Sequence, residues 1–172
     1  IKGATVFLIL LFFSFYQMFG VIEYAAQYER GVVPVTLPYL FGDFLFLMIF
    51  GLVVVYFFSD VPFIKRGTTF TLIRLGRRRW GMLQVLRVFI NSGILMMLEF
   101  VISIGVCIGH MELESDWGAV WNTLSIGQIT SSGISFSRNI VILYTPVMAT
   151  IRVLIMGMIV VTVLGLLQFA LS

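Results

Sequence analysis

The feature that most constrains this chain is a series of long apolar runs with almost no charge. Residues 4–22 contain no Asp, Glu, Lys or Arg. An α-helix needs about 20 apolar residues to cross the hydrocarbon core of a bilayer. Three runs of similar length follow, so we predict four membrane-spanning helices over residues 4–22, 40–58, 88–108 and 146–171. The competing interpretation of the first run is a secretory signal, but the run exceeds the usual length of about 7–15 apolar residues.

The overall composition agrees with this class. Hydrophobic residues make up 60% of the 172 residues and charged residues 11%, whereas soluble domains have about 25% charged residues. This imbalance excludes a disordered chain, a nucleic-acid-binding protein and an ordinary soluble enzyme. The predicted fold class is all-α, a polytopic transmembrane helical bundle that forms a single transmembrane domain over residues 1–172.

The rare residue types exclude several kinds of site. Cys107 is the only cysteine and His110 the only histidine, so an intrachain disulfide and zinc motifs with two cysteines or two histidines are excluded. Lysine occurs only at positions 2 and 65, before Gly and Arg, so no GxxxxGK(S/T) phosphate-binding loop exists. We expect no catalytic residue, metal or cofactor in this chain, and ATP, if used, is bound by another polypeptide.

The distribution of charge predicts the orientation in the membrane. Seven of the eleven Lys and Arg residues lie between Lys65 and Arg87. The loops on either side of this segment carry more acids than bases. The positive-inside rule therefore places the basic segment in the cytoplasm and the two acidic loops outside. Lys2 then lies inside, as an even number of spans requires.

The stretch over residues 60–84, which contains most of these basic residues, mixes arginines with apolar residues at near-helical spacing. We expect two short helices separated near Gly76, because a glycine inside a helix costs about 1 kcal/mol relative to alanine. One interpretation is a loop whose arginines merely touch anionic lipid. The other is a helix that lies on the membrane or docks in a partner's groove, which accounts better for Phe70, Ile73 and Trp80.

The order of these features resembles the membrane subunit of a type-2 ABC transporter, the permease class of many bacterial exporters. The resemblance covers most of the chain through short motifs: Gly67-Thr68, Leu72-Ile73, the string from Arg74 to Trp80 with its Arg77-Arg78-Arg79 cluster, Gln84, and Tyr144-Thr145-Pro146 before a long apolar helix. It implies that a coupling helix between the second and third spans engages a separate ATPase. The residues assigned to this coupling are Gly67, Thr68, Phe70, Ile73, Arg74, Arg77, Arg78, Arg79 and Trp80.

The resemblance also implies partners and a location. They are an ATP-binding cassette subunit that holds ATP and magnesium, and a second permease subunit in a homo- or heterodimer. The location is the bacterial cytoplasmic membrane, with its lipids around the bundle. The family has six spans, so we expect this chain to be part of a longer six-span permease. Ile64-Lys65-Arg66 stand where many members carry an acid, so the family's specific salt bridge to the ATPase is not carried over to that position.

Glu99 lies near the middle of the third predicted span, where a carboxylate is costly unless it is paired, protonated or hydrated. It lies roughly 14 Å from the outer end of its span and Arg152 roughly 9 Å from that of the fourth, at 1.5 Å per residue. An arginine side chain bridges this difference, so we predict an intramembrane charge pair of Glu99 and Arg152. The alternatives are a charge that lines a substrate or proton path, and a Glu99 that lies in water. Gly157 and Gly165 predict a close helix contact on the last span.

Three functions are compatible with these features. The first is a permease subunit that works by alternating access, and we favour it. The second is a membrane-integral enzyme, but its candidate residues, Glu99, Asp43, Asp60 and His110, lie at different depths. The third is a non-catalytic membrane scaffold or sensor whose basic loop binds another protein. The first and third differ in whether an ATP-binding protein associates with the chain.

Overall fold

The structure is a computed structural model that describes residues 2–60, 68–112, 114, 116–126 and 136–171, with the backbone alone for residues 68–75 and 77. Its regular elements in these ranges are helices. They are α1 (Lys2–Gln27), α2 (Leu37–Leu40), α3 (Phe44–Phe57), α4 (Thr68–Cys107), α5 (Gly118–Ser125), α6 (Arg138–Leu143) and α7 (Pro146–Leu171), with 3-10 turns at Phe58–Asp60 and Ile108–His110. This confirms the predicted all-α class.

Three helical segments are long and apolar enough to cross a membrane: α1, the part of α4 and its 3-10 turn from Arg78 to His110, and α7. Their outward faces carry large apolar side chains, such as Leu8 and Phe12, each 62% exposed. Exposed apolar surface on this scale is typical of helices that face lipid. These features are those of a membrane protein.

The second predicted span corresponds to a shorter helix. Apolar helix continues only over Phe44–Asp60, and it begins at residue 44 because Asp43 caps the N-terminus of α3. The Asp43 carboxylate accepts a hydrogen bond from the backbone N–H of Phe46 at 2.8 Å. It also accepts one from the side chain of Gln17 in α1 at 2.7 Å, which fixes the start of α3 against α1.

Helix α4 contains both the helix break that we predict near Gly76 and the third predicted span. The prediction of a helix break near Gly76 is confirmed, since Gly76 has φ 72° and ψ 158°. The second helix is not short, however, because it continues from residue 77 through Cys107 without a break. The helix that contains the third predicted span therefore begins eleven residues before residue 88, and its basic first turns run directly into the apolar ones.

The long helices alternate in direction. Ser14 of α1 contacts Glu99 of α4, and Val32 beyond α1 pairs with Met111 beyond α4, so α1 and α4 run parallel. The Nζ atom of Lys2 lies 2.7 Å from the Asp60 carboxylate, so α1 and the helix ending before Asp60 run antiparallel. We call this end of the bundle the Lys2 end and the opposite one the His110 end.

Helix α7 runs antiparallel to α4 and packs closely against it at two glycines. A Cβ atom on Gly157 would collide with the Met96 side chain, and one on Gly165 would lie 2.7 Å from Val88 Cγ1. Residues with no side chain let two helices approach closely. The predicted close contact at Gly157 and Gly165 is confirmed.

An aromatic cluster covers the His110 end. Trp121 and Phe136 have ring centroids 5.3 Å apart, and Tyr39 and Trp117 pack against the same pair of rings. Both indole N–H groups donate to backbone carbonyls, Trp121 to Val33 at 2.9 Å and Trp117 to Tyr144 at 2.8 Å. These bonds tie the connections before α3 and before α7 to α5.

Candidate functional site

The break at Gly76 separates a helical arm, Thr68–Leu75, from the long remainder of α4. A φ of 72° with ψ near 158° is a backbone conformation that is essentially restricted to glycine. A Cβ at Gly76 would meet no other atom within 4 Å, so the requirement for glycine is conformational and not steric. The chain direction therefore changes at Gly76 without a loop.

The residues predicted to couple to an ATPase are described in part. Gly67 lies outside the described residues, and the structure gives no side chain for Thr68, Phe70, Ile73, Arg74 and Arg77. Arg78 and Arg79 are exposed just after the break. Their roles remain predictions, and the structure shows that they follow a break in the helix at Gly76.

Trp80 makes a contact that the sequence did not predict. Its ring lies 6.1 Å from the ring of Phe169 near the end of α7, with 50° between the planes, and the side chain is half-buried. The contact attaches the first turns of α4 beyond the break to the last turn of α7. The role of Trp80 in coupling to an ATPase remains a prediction.

A second set of contacts at the Lys2 end joins α1 to the end of α3 and the 3-10 turn that follows it. Lys2 Nζ donates to Ser59 Oγ at 2.7 Å, pairs with Asp60, and lies 5.2 Å from the centroid of the Tyr56 ring. The predicted orientation already placed Lys2 and Asp60 at the same membrane face. Opposite charges that flank two consecutive spans were the signal for this pair.

The predicted pair of Glu99 and Arg152 is not formed among the described residues, and this is a correction. Glu99 is fully buried and its Oε1 accepts a hydrogen bond from Ser14 Oγ at 2.7 Å. Arg152 is exposed, and its guanidinium lies 4.2 Å from the centroid of the Tyr144 ring. The guanidinium therefore makes a cation–π contact on the outside of the bundle.

The prediction was wrong about the face of α7 on which Arg152 lies, and not about the level of Arg152 relative to Glu99. The register set by Gly157 against Met96 and by Gly165 against Val88 puts Arg152 level with Val101, two residues from Glu99. That difference is about 3 Å along the helix axis. Depth can be counted from sequence, whereas the direction in which α7 turns each side chain depends on which of its faces packs on α4.

The second oxygen of Glu99 has no partner in the described part of the chain. Glu99 Oε2 and Gln84 Oε1 are both buried there without a hydrogen bond. An unpaired buried acceptor costs about 1–3 kcal/mol, and more if it is charged. Glu99 is thus the one acidic side chain among the described residues that combines full burial with an open hydrogen-bonding position.

The buried face of α4 is polar at several levels. Gln84, Ser92, Glu99 and Ser103 are each at most 2% exposed, and they recur at helical spacing on the side that faces α1 and α7. Ser92 and Ser103 donate to carbonyls of their own helix, those of Val88 and Phe100. Sequence reasoning singled out Glu99 as the buried candidate, although the recurrence of polar residues eight, seven and four positions apart on this face was a usable signal.

An apolar groove opens between α3 and α7. Its volume is about 370 Å³, and its walls include Phe50, Val54, Val161 and Leu164. Gly51 forms part of one wall, and a Cβ there would meet no atom within 4 Å, which leaves room for an occupant. Neither Ser14 nor Glu99 lines this groove.

Within the described residues no group of three or more His, Cys, Asp or Glu side chains is arranged to hold a metal ion. Comparison of the chain with models of protein families, with curated proteins and with solved structures gave no match.

Proposed function

We propose that this chain is a permease subunit of an ABC transporter, of the type-2 exporter class, in the bacterial cytoplasmic membrane. It contributes the substrate path, and a separate subunit binds ATP with magnesium. The observation that carries the proposal is the hinged arm of α4. A short helix joined through Gly76 to a long apolar helix is what a subunit driven by an external motor requires.

The geometry of α4 supports transmission of force from the arm to the bundle. The helix from residue 77 to residue 107 is continuous, and it is about 46 Å long at 1.5 Å per residue. It packs along both α1 and α7. A force applied to the arm therefore moves a rigid helix against two neighbours, as alternating access demands.

The position of charge supports a cytoplasmic motor. Arg78 and Arg79 are exposed at the Lys2 end, directly after the hinge. The positive-inside rule places this end in the cytoplasm, where ATP is available. In this arrangement α3 with its 3-10 turn is the second of four spans, antiparallel to α1, and the chain is a multi-pass protein with a second permease subunit beside it.

The groove between α3 and α7 supports an apolar cargo. It is lined by Phe, Val, Leu and Gly, and carries little that would bind a sugar or an ion. A lipid, a hydrophobic peptide or an apolar antibiotic fits these walls. We infer that the groove is where such a molecule enters from the membrane.

The decisive experiment is co-expression with an ATP-binding cassette protein, sought first in the neighbouring reading frames, followed by purification through this chain. We expect the two proteins to co-purify, and the ATPase rate to depend on the membrane subunit. Phe70→Ala removes a large apolar side chain from the arm, and we expect it to weaken association or to uncouple hydrolysis from transport. Phe89→Ala, on the lipid-facing side of the same helix and 49% exposed, is the matched control.

Trp80 requires its own control because it contacts Phe169. If Trp80→Ala acts through that contact, Phe169→Leu produces the same loss. If Trp80 touches the ATPase, Phe169→Leu leaves association unchanged. An ATPase that binds equally to wild type, Phe70→Ala and Trp80→Ala, at unchanged activity, would refute the coupling role of the arm. The scaffold or sensor would then be the better description, since it needs a docking segment but no ATPase.

A further inference from the structure

We propose that Glu99 and Ser14 form a proton-binding site inside the helix bundle, with the proton held on the free oxygen of Glu99. The site lies in the interface between α1 and α4. It belongs to this chain alone and does not rest on the proposed ATP-binding subunit. Loss of the proton would favour separation of α1 from α4.

The contacts of Glu99 identify the empty position. Its Oε1 accepts from Ser14 Oγ at 2.7 Å, while Oε2 is buried without any partner among the described residues. Both side chains are 0% exposed. A carboxylate that is removed from water needs a positive charge, several hydrogen bonds or a proton, and Glu99 has one hydrogen bond.

No basic side chain of the described helices takes the place of a proton. Helix α1 carries Lys2, which is bound to Asp60 and Ser59, and Glu23, which lies nine residues beyond Ser14. Helix α7 carries Arg152, which is turned toward Tyr144. On α4 itself the nearest charged residue is Arg87, exposed and three turns away. None of these groups faces Glu99.

The surroundings favour a proton over a metal cation or a charged substrate. Hard cations such as Ca²⁺ take about six to eight oxygen ligands, and this position offers the two Glu99 oxygens and one hydroxyl. No group of three potential metal ligands exists in the described residues. The complete burial of both side chains leaves no room for a substrate ammonium group. A proton on Glu99 Oε2 needs neither additional ligands nor a cavity.

Protonation and helix packing are coupled through the same contact. With Oε2 protonated, the carboxyl is neutral and remains buried against Ser14. Once ionised, the carboxylate recruits water into the interface between α1 and α4, because burial of an unpaired charge is unfavourable. The other buried polar groups on this face of α4, Ser92 and Ser103, offer that water hydrogen-bonding partners. Proton release thereby opens the bundle on the α1 side.

Infrared difference spectroscopy of the purified chain in nanodiscs tests the site directly. We expect a carboxylic-acid C=O band at neutral pH that disappears in Glu99→Gln. The band should shift in Ser14→Ala, because that change removes the hydrogen bond to Oε1. Glu23→Gln, the other carboxyl on α1 or α4, is the matched control and should leave the band in place. Absence of the band in the wild type, or its persistence in Glu99→Gln, would overturn the proposal.

The coupling to packing has a separate readout. Wild type should lose at least about 3 °C of its unfolding temperature between mildly acidic and alkaline buffer. In Glu99→Gln, which mimics the protonated group, this loss of unfolding temperature should be absent. Equal pH dependence of the two proteins would show that proton release does not open the bundle. Neither measurement involves ATP, so a failure here is distinguishable from a failure of the permease proposal.

Discussion

Gly165 of α7 lies directly against Val88 of α4, in a close contact between the two helices. A Cβ on Gly165 would lie 2.7 Å from Val88 Cγ1 and 3.3 Å from two ring atoms of Phe58. Three helices therefore meet at one residue that has no side chain: α4, α7, and α3 through its terminal turn. This contact, together with the one at Gly157, sets the register of α7 on α4.

We expect Gly165→Ala to lower the free energy of unfolding by about 1–3 kcal/mol, because the added methyl group overpacks the contact with Val88. Chemical unfolding in detergent, followed by helical circular dichroism, measures the change. Gly105→Ala is the control, since a Cβ at Gly105 meets no atom within 4 Å. The double variant Gly165→Ala with Val88→Ala should recover part of the loss, and purely additive losses would contradict the contact.

The cation–π contact of Arg152 leads to a second prediction. Tyr144→Leu should cost about 0.5–2 kcal/mol of stability in the presence of Arg152 and less in its absence, because the ring then has no cation above it. Arg152→Gln combined with Glu99→Gln should be additive, since the two side chains do not touch. A double-mutant cycle that shows strong coupling between Glu99 and Arg152 would restore the charge pair that the sequence predicted.

The helices could be predicted well from the sequence, since long apolar runs leave few alternatives to membrane-spanning helices. The boundaries were less predictable. Asp43 was assigned to the second span, and only its hydrogen bond to the Phe46 N–H reveals it as the cap that starts α3 four residues later than expected. At the start of the third span the apolar run began at residue 88. The helix that contains this run begins at residue 77, directly after the break at Gly76, because basic residues continue a helix as readily as apolar ones.

The site was predictable in depth but not in direction. The level of Glu99 relative to Arg152 followed from counting residues along two helices. The partner of Glu99 is instead Ser14 on α1, and no local pattern distinguishes that serine from a lipid-facing one. Only the packing of α1 along α4 selects it.

Tyr39 gives a prediction for alkaline pH. Burial, with a contribution from the nearby Asp43 carboxylate, raises the pKa of Tyr39 from 10.0 to about 12. The folded state thus holds this proton more tightly than the unfolded state, and the resulting stability is complete below pH 10 and lost as the pH rises through 12. The difference corresponds to roughly 2–3 kcal/mol. Unfolding measured against pH should show this loss in wild type and not in Tyr39→Phe, while Tyr28→Phe, at a 62% exposed tyrosine, should retain it.

The side of the membrane on which each loop lies tests whether α3 crosses it. Single cysteines replace Arg30, Arg78 or Glu114, all exposed, in a Cys107→Ser background that removes the free native thiol. A membrane-impermeant maleimide should label Arg30→Cys and Glu114→Cys from outside and Arg78→Cys from inside. If α1, α4 and α7 alone span the membrane, Arg30→Cys and Arg78→Cys label from the same side. That outcome would remove α3 from the set of spans.

The hinge of α4 leads to the last prediction. Alanine is strained by about 1–3 kcal/mol at the φ and ψ of Gly76, whereas it favours a continuous helix by about 1 kcal/mol. Gly76→Ala should therefore straighten α4 and swing the arm, without unfolding the bundle. Spin labels at Leu72 and at Gln168, near the end of α7, should report a changed distance in this variant. Gly81→Ala is the matched control, because Gly81 lies within the regular part of the same helix and has open space around it. If the permease proposal is correct, Gly76→Ala uncouples ATP hydrolysis from transport and Gly81→Ala does not. An unchanged label distance in Gly76→Ala would show that the break is imposed by the rest of the fold and is not a property of the glycine.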